Sequence, residues 1–264
     1  DLLKIDEYVI CIENGKSSID INKYDFCIML VKDQYISTLF EKKNKFCFNA
    51  YDAMRSSDDK FLTYVKLAEK GLPLPKTLSG NTDFDGLKIS DYKRSKEFKD
   101  KVEKTLNYPF VAKPTFGYGG KGVVIINNRC EFDEFIEKIG QEPYIYQEFI
   151  SDNPGSDIRV MVVGGKVIFS IMRKNSSNFI SNVSSGGTAI NYQASKEQKE
   201  IAVKVANILG LEHCAIDFFN TKNGSPLICE VNANAGGIEI NEELTGINQA
   251  EEFVEYIVKK VYKS

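Results

Sequence analysis

Hydrophobic and polar positions follow two rhythms along this chain. Short apolar runs bounded by Gly, Asn or Pro predict strands, and apolar positions three and four apart predict helices. Residues 1–50 read as small α/β units. A strand over residues 8–12 closes at Asn14-Gly15, and the nearly continuous apolar run at 24–30 has the pattern of a buried parallel strand. A short helix at 36–40 and a third strand at 46–48 follow. Ser57-Asp58-Asp59 forms an N-cap cluster for a helix with Phe61, Leu62, Val65 and Ala68 on one face, stopped by Gly71 with Pro73 and Pro75 beyond. Residues 79–105 are polar and read as a loop and a basic helix.

Strands then recur. Residues 108–114 form one, a glycine-rich loop at 116–122 leads into another at 123–126, and an amphipathic helix at 131–139 ends at Gly140. A strand covers 144–150. Residues 157–163 and 166–173 flank Gly164-Gly165 as a hairpin, and 174–191 read as a polar loop. Ser195 and Gln198 make a capping box for a helix with Ile201, Ala202, Val205, Ile208 and Leu209 on one face and Gly210 at its end. Apolar runs at 215–219 and 227–232 flank Asn223-Gly224 as a tight hairpin, and a last helix spans about 250–262.

Composition narrows the class. The 264 residues are 42% hydrophobic and 27% charged with net charge −3, enough for a sizeable core and without the basic footprint of a nucleic-acid or membrane-surface protein. No apolar run approaches ~18 residues, and the N-terminus lacks a signal-peptide pattern. Six cysteines show no CxxC pair. Cys11, Cys27, Cys214 and Cys229 lie in strand-like runs and read as small buried hydrophobes in a reducing, cytoplasmic compartment. The single histidine, His213, reads as structural or surface, and without a second histidine or a CxxC pair the sequence argues against a His/Cys zinc site. The chain has no initiating methionine and its first segment is short for a nucleotide-type domain, so upstream residues are expected.

Candidate chemistry gathers in a few places. With the turn at Asn223-Gly224, Asp217 lies opposite Glu230 and Ala215 opposite Asn232, so Asp217, Glu230 and Asn232 share a face. Opposite carboxylates, roughly 4.5–5.5 Å apart between Cβ atoms, repel unless a positive charge intervenes. A hard divalent cation, Mg²⁺ first, suits those oxygens; the alternative is a solvated acidic pair. Lys113 interrupts an apolar strand and needs an anionic partner if buried. Gly117, Gly119, Gly120 and Gly122, with Lys121 among them, let the backbone approach a phosphate, or else make a simple tight turn. The loop is neither a P-loop nor a dinucleotide fingerprint, since it lacks GxxxxGK[ST] and leads into a strand. Lys60 sits in the first turn of its helix, where a cation is unfavourable unless a phosphate joins it; otherwise it is a surface lysine. Glu148, Phe149 and Ile150 end their strand in a step able to contact an adenine edge. Regular register puts Asp157 and Arg159 on one face and Arg173 on the other. Both arginines reach one site only through a bulge or bend, and structural ion pairs are the alternative.

In this order the features resemble the ATP-grasp superfamily, most closely its RimK-like carboxylate–amine ligases, over roughly residues 55–264. The resemblance implies an α+β ATP-grasp fold: two α+β subdomains sandwiching ATP, at 57–148 and 149–264, after a short α/β pre-ATP-grasp segment at 1–56. It implies that Lys60, Lys113 and the flap at 117–122 hold ATP phosphates, and that Glu148, Phe149 and Ile150 form the adenine hinge. Asp157 and Asn182 then contact nucleotide, Asp217, Glu230 and Asn232 hold Mg²⁺ or Mn²⁺, and Arg159 and Arg173 stand near the γ-phosphate or substrate carboxylate. The family stretch Phe-Arg-Ser-Asn reads Phe179-Ile180-Ser181-Asn182 here, and the stretch after the metal ligands reads Ala233-Asn234-Ala235-Gly236-Gly237.

The implied activity joins a carboxylate, through an acyl phosphate, to the amine of an amino acid, peptide or protein acceptor, in a cytoplasmic dimer or tetramer. The alternatives are an ATP-binding module of the same fold without ligase chemistry, motivated by Ile180, and an ordinary α/β protein with solvated carboxylates.

Overall fold

The computed structural model describes residues 9–80 and 89–263. The chain begins with β1 (Ile12–Glu13), β2 (Lys16–Ser17), β3 (Phe26–Ile28), α1 (Gln34–Glu41), β4 (Phe46–Phe48), α2 (Tyr51–Asp58) and α3 (Lys60–Leu67). It continues through β5 (Thr77–Ser79), α4 (Ile89–Arg94), α5 (Lys96–Leu106), β6 (Phe110–Pro114), β7 (Val124–Ile126), α6 (Arg129–Ile139) and β8 (Tyr144–Glu148). The last part holds β9 (Ser156–Val163), β10 (Lys166–Lys174), β11 (Thr188–Asn191), α7 (Lys196–Leu209), β12 (His213–Phe219), β13 (Ile228–Asn232), α8 (Ile238–Thr245) and α9 (Gln249–Tyr262).

Two antiparallel sheets organise these elements. One has four strands in the order β5-β8-β6-β7, and the other has five in the order β11-β10-β9-β12-β13. The four-stranded sheet is backed by α5 and α6, whose Phe98, Val102, Phe132 and Ile136 close over Phe110 and Tyr146. Ser95 and Asn128 cap those helices by accepting from the backbone N–H groups of Phe98 and Glu131. One face of the five-stranded sheet is covered by α7 together with the N-terminal segment: Ile36, Phe40, Met54 and Leu67 pack with Val160, Val205, Ile216 and Ile228. On its other face Met161, Val163 and Ala215 meet Phe253 and Tyr256 of α9. Among the described residues no helix is long and apolar enough to cross a membrane.

Several expectations hold at the level of the element. β3 and β4 pair in parallel, although β3 is not buried as expected: Phe26 and Cys27 are half-buried, and Ile28 and Leu30 are exposed. The capping box of α7 forms as read, and Gly210 ends that helix in the left-handed region. The pairs Asp217–Glu230 and Ala215–Asn232 form at the predicted register.

Other expectations are corrected. Residues 9–11 are not a strand; β1 turns at Asn14-Gly15 into β2, and Val9 and Cys11 are exposed because no further sheet covers them. Residues 1–8 and 81–88 lie outside the described residues. Ser57 and Asp58 belong to α2, and Asp59 alone caps α3 by accepting from Leu62 N–H. The helix α3 buries Thr63, Tyr64 and Leu67 while Val65 is 55% exposed, because its packed face is anchored by a polar side chain that hydrophobicity does not reveal. The Asn223-Gly224 turn is not tight: β12 ends at Phe219 and β13 begins at Ile228. A bulge between Asp217 and Phe218 absorbs the longer connection. The short strands β5 and β11 and the helix α8 carry too little apolar periodicity to have been expected.

Candidate active site

A cleft open to solvent lies between the two large sheets. Its walls include Lys60, Lys113, Gly117, Gly120, Lys121, Glu148, Phe149, Ile150, Asp157, Arg173, Asn182, Asp217 and Glu230. Of the remaining sequence candidates, Gly119 and Gly122 belong to the flap loop, while Arg159 and Asn232 stand behind the cleft carboxylate Asp217 and hydrogen-bond to it.

The carboxylate end is built by strand register. Asp217 on β12 lies between Glu230 on β13 and Arg159 on β9. Arg159 grips it with both ends of its fork, Nε to Oδ1 at 2.8 Å and Nη2 to Oδ2 at 2.9 Å. Arg173 reaches the same carboxylate, Nη2 to Oδ2 at 2.9 Å, and also binds Asp157 through Nε at 2.7 Å. That convergence depends on an irregularity between Val167 and Phe169, which shifts the register by one so that Arg173 lies opposite Asp157. The bulge that the sequence required is present, and it brings Arg173 to the face of Asp157 and Arg159. Burial opposes ionisation of Asp217; the charges of Arg159 and Arg173 overcome it and lower the pKa to about 2. Ser181 donates to Asp157 as well, so the Asp157 carboxylate is engaged by protein groups.

The residues present suit a hard cation. Among the described residues no three of His, Cys, Asp and Glu converge as a metal cluster; the set reaches three only with the amide oxygen of Asn232. Asn232 turns its nitrogen to Asp217 Oδ2 at 3.1 Å, which leaves its oxygen as the free end. Oδ1 of Asp217 accepts from Arg159 Nε and keeps a further lone pair. Oxygen donors from Asp217, Glu230 and Asn232 are the ligand type that Mg²⁺ takes. The positive charge expected between the two carboxylates comes, in the chain itself, from Arg159, Arg173 and Lys60, whose Nζ lies 3.2 Å from Glu230 Oε1.

The opposite end is basic and glycine-rich. Lys60 Nζ also donates to the flap carbonyl of Gly117 at 2.8 Å, and its backbone N–H bonds Thr115 O. Lys113 is half-buried, donates to the carboxamide oxygen of Gln147 at 2.7 Å and lies 5.4 Å from the centre of the Phe219 ring. Its partner is neutral, not the anion anticipated. Two flap glycines have steric reasons. A Cβ on Gly120 (φ +73) would stand 2.5 Å from Ile180, and one on Gly122 (φ +74) 2.8 Å from Pro114. Ser185 donates to Gly119 O, so residues 180–185 seat the flap. Glu148 accepts from Lys76 N–H at 2.7 Å, which fixes the strand end that carries Phe149 and Ile150.

Sequence reasoning passed over Tyr64, Gln147 and Ser181. Gln147 directly precedes the Glu148-Phe149-Ile150 step, but its role depends on a partner 83 positions away.

Two sheets holding between them a glycine-rich flap, one lysine from a strand and one from a helix, and a carboxylate pair with an amide define an ATP-grasp fold. The solved ATP-grasp ligase PsnB, complexed with a phosphomimetic variant of minimal precursor, Mg and ADP, has that fold. It superposes with a TM-score of 0.62 at 20% identity, over 85% of this chain and 66% of that one. The chain belongs to the RimK-like ATP-grasp family, whose model matches residues 57–257. It is 35% identical over 188 residues to human (Homo sapiens) N-acetylaspartylglutamate synthase A, covering 70% of this chain and 45% of that protein. It is 35% identical over 224 residues to a probable alpha-L-glutamate ligase of Maridesulfovibrio salexigens, covering 83% and 69% respectively. The chain thus spans about half the length of the first of these relatives.

Proposed function

We propose that this chain is an ATP- and Mg²⁺-dependent ligase that joins a carboxylate to the amine of an amino acid or peptide. The observation that carries this reading is one cleft whose walls bring Lys60, Lys113 and the flap together with Asp217 and Glu230. Bound ATP would supply the phosphoryl group that activates the carboxylate, and Mg²⁺ the charge that gathers the phosphates. Lys60, Lys113 and the flap N–H groups hold the anionic tail, Phe149 and Ile150 flank the base, and Glu230, Asn232 and Asp217 Oδ1 hold the cation. Asp157 and Asn182 shape the nucleotide wall. Arg173 and Arg159 orient the Asp217 carboxylate and place positive charge where the transferred group would develop negative charge. No side-chain nucleophile is needed.

Glutamate is the first amine to test, because it recurs in the names of the relatives. The same reading places the reaction in the cytoplasm. Phosphate release from ATP and Mg²⁺ across a panel of amino acids and short peptides tests it, with Glu230→Gln as control. Acceptor-dependent release that disappears in the control supports the ligase. Tight Mg²⁺-ATP binding without acceptor-dependent release supports a nucleotide-binding module instead.

A further inference from the structure

A buried polar relay crosses between the two large sheets beside the cleft. The carbonyl of Cys229, next to Glu230 on β13, accepts from the Tyr64 hydroxyl at 2.8 Å. Tyr64 accepts from Gln147 Nε2 at 3.0 Å, and the same nitrogen donates to Thr77 Oγ1 at 2.9 Å. Gln147 Oε1 accepts from Lys113 Nζ. Gln147 is fully buried.

The polarity of this relay is forced at each step. A carbonyl only accepts, so Tyr64 must donate to Cys229 and keep its oxygen as an acceptor. Thr77 donates to Pro75 O, so its oxygen is likewise an acceptor toward Gln147. Both groups therefore require the amide nitrogen of Gln147, which turns the amide oxygen to Lys113. Burial pushes the Tyr64 pKa far above its ordinary value, so the hydroxyl retains its proton.

We infer that Gln147 and Tyr64 are positioning residues for the nucleotide: they hold Lys113 with an oriented neutral acceptor, which leaves its charge for a phosphate, and couple it to the strand that carries Glu230. A carboxylate at 147 is nearly the same shape but pairs with the ammonium and removes that charge from the ligand. Loss of the Tyr64 hydroxyl removes one of the two acceptors that fix the amide and weakens its hold on the orientation that turns the oxygen to Lys113. The inference rests on the ATP-ligase reading above.

The test is calorimetric titration of Mg²⁺-ATP into wild type, Gln147→Glu and Tyr64→Phe, with melting curves of each protein without nucleotide. Gln147→Glu is expected to bind about tenfold more weakly or worse, the size of one charge-assisted hydrogen bond lost. Tyr64→Phe is expected to bind roughly three- to tenfold more weakly, a smaller loss because Thr77 still holds the amide. In turnover both variants raise KM for ATP and leave KM for the acceptor unchanged. Tyr64→Phe removes a single oxygen and carries the test if Gln147→Glu does not fold. Lower melting temperatures with unchanged nucleotide affinity reduce the relay to scaffolding and overturn the inference alone. A wild-type chain that does not bind Mg²⁺-ATP overturns it together with the ligase reading.

Discussion

Arg173 bridges Asp157 and Asp217 while only 4% exposed. Removing it leaves two carboxylates facing each other in a low-dielectric pocket. Arg173→Ala is expected to destabilise the fold by about 3–5 kcal/mol, read as a lower urea midpoint at unchanged slope. Residue types were legible here and partners were not. Lys113 is on the strand where the apolar pattern placed it, yet its acceptor is the neutral Gln147. The carboxylate pair was legible because strand alternation and one turn signal suffice to put Asp217 opposite Glu230. The two arginines that neutralise Asp217 come from other strands; the sequence named both, with structural ion pairs as one reading, but not Asp217 as their shared partner.

At the scale of the element, the flap is held by a contact that no short-range signal encodes, Gly120 beneath Ile180. The side chain that departs from the family pattern is thus the one resting on the flap. Ile180→Ala is expected to loosen residues 116–122, seen as faster amide exchange there with the rest of the chain unchanged. Gly120→Ala forces a β-carbon into a left-handed backbone and against Ile180, costing about 1–2 kcal/mol from conformation alone. Adding Ile180→Ala to it relieves the clash and recovers part of the loss. Helices with caps and apolar stripes, such as α6 and α7, were legible because both signals are local in the sequence. The strands β5 and β11 were not, since each is short and owes its form to its neighbour in the sheet.

For the molecule as a whole, the apolar packing of the N-terminal segment on the five-stranded sheet is reinforced by the buried side chain of Asn49. Asn49 donates to His213 O and Ala233 O and accepts from the N–H groups of Glu212 and His213. Asn49→Ala orphans these groups and is expected to cost about 2–4 kcal/mol, measured by denaturant unfolding. His213 is the second fastening. Its Nε2 faces the Gln249 amide nitrogen at 2.9 Å, and its ring stacks on Phe253, so α9 is tied to β12. Gln249 donates, so the ring must be the neutral acceptor, and burial lowers its pKa from 6.5 to about 4. The stability this contributes is complete above about pH 6.5. It is lost as pH falls toward 4, because the unfolded chain takes up the proton first. The loss is on the order of 2–3 kcal/mol. Melting temperatures recorded between pH 7.5 and 4.5 are expected to fall less steeply in His213→Phe than in the wild type.

The register irregularity between Val167 and Phe169 gives this hairpin a parity. One residue more or less between Gly165 and Arg173 exchanges the two faces of everything downstream on β10, and the arginine leaves the cleft although no cleft residue has changed. A two-residue insertion in the same stretch restores the faces. The active centre therefore depends on whether that strand's length is odd or even as well as on the arginine it carries.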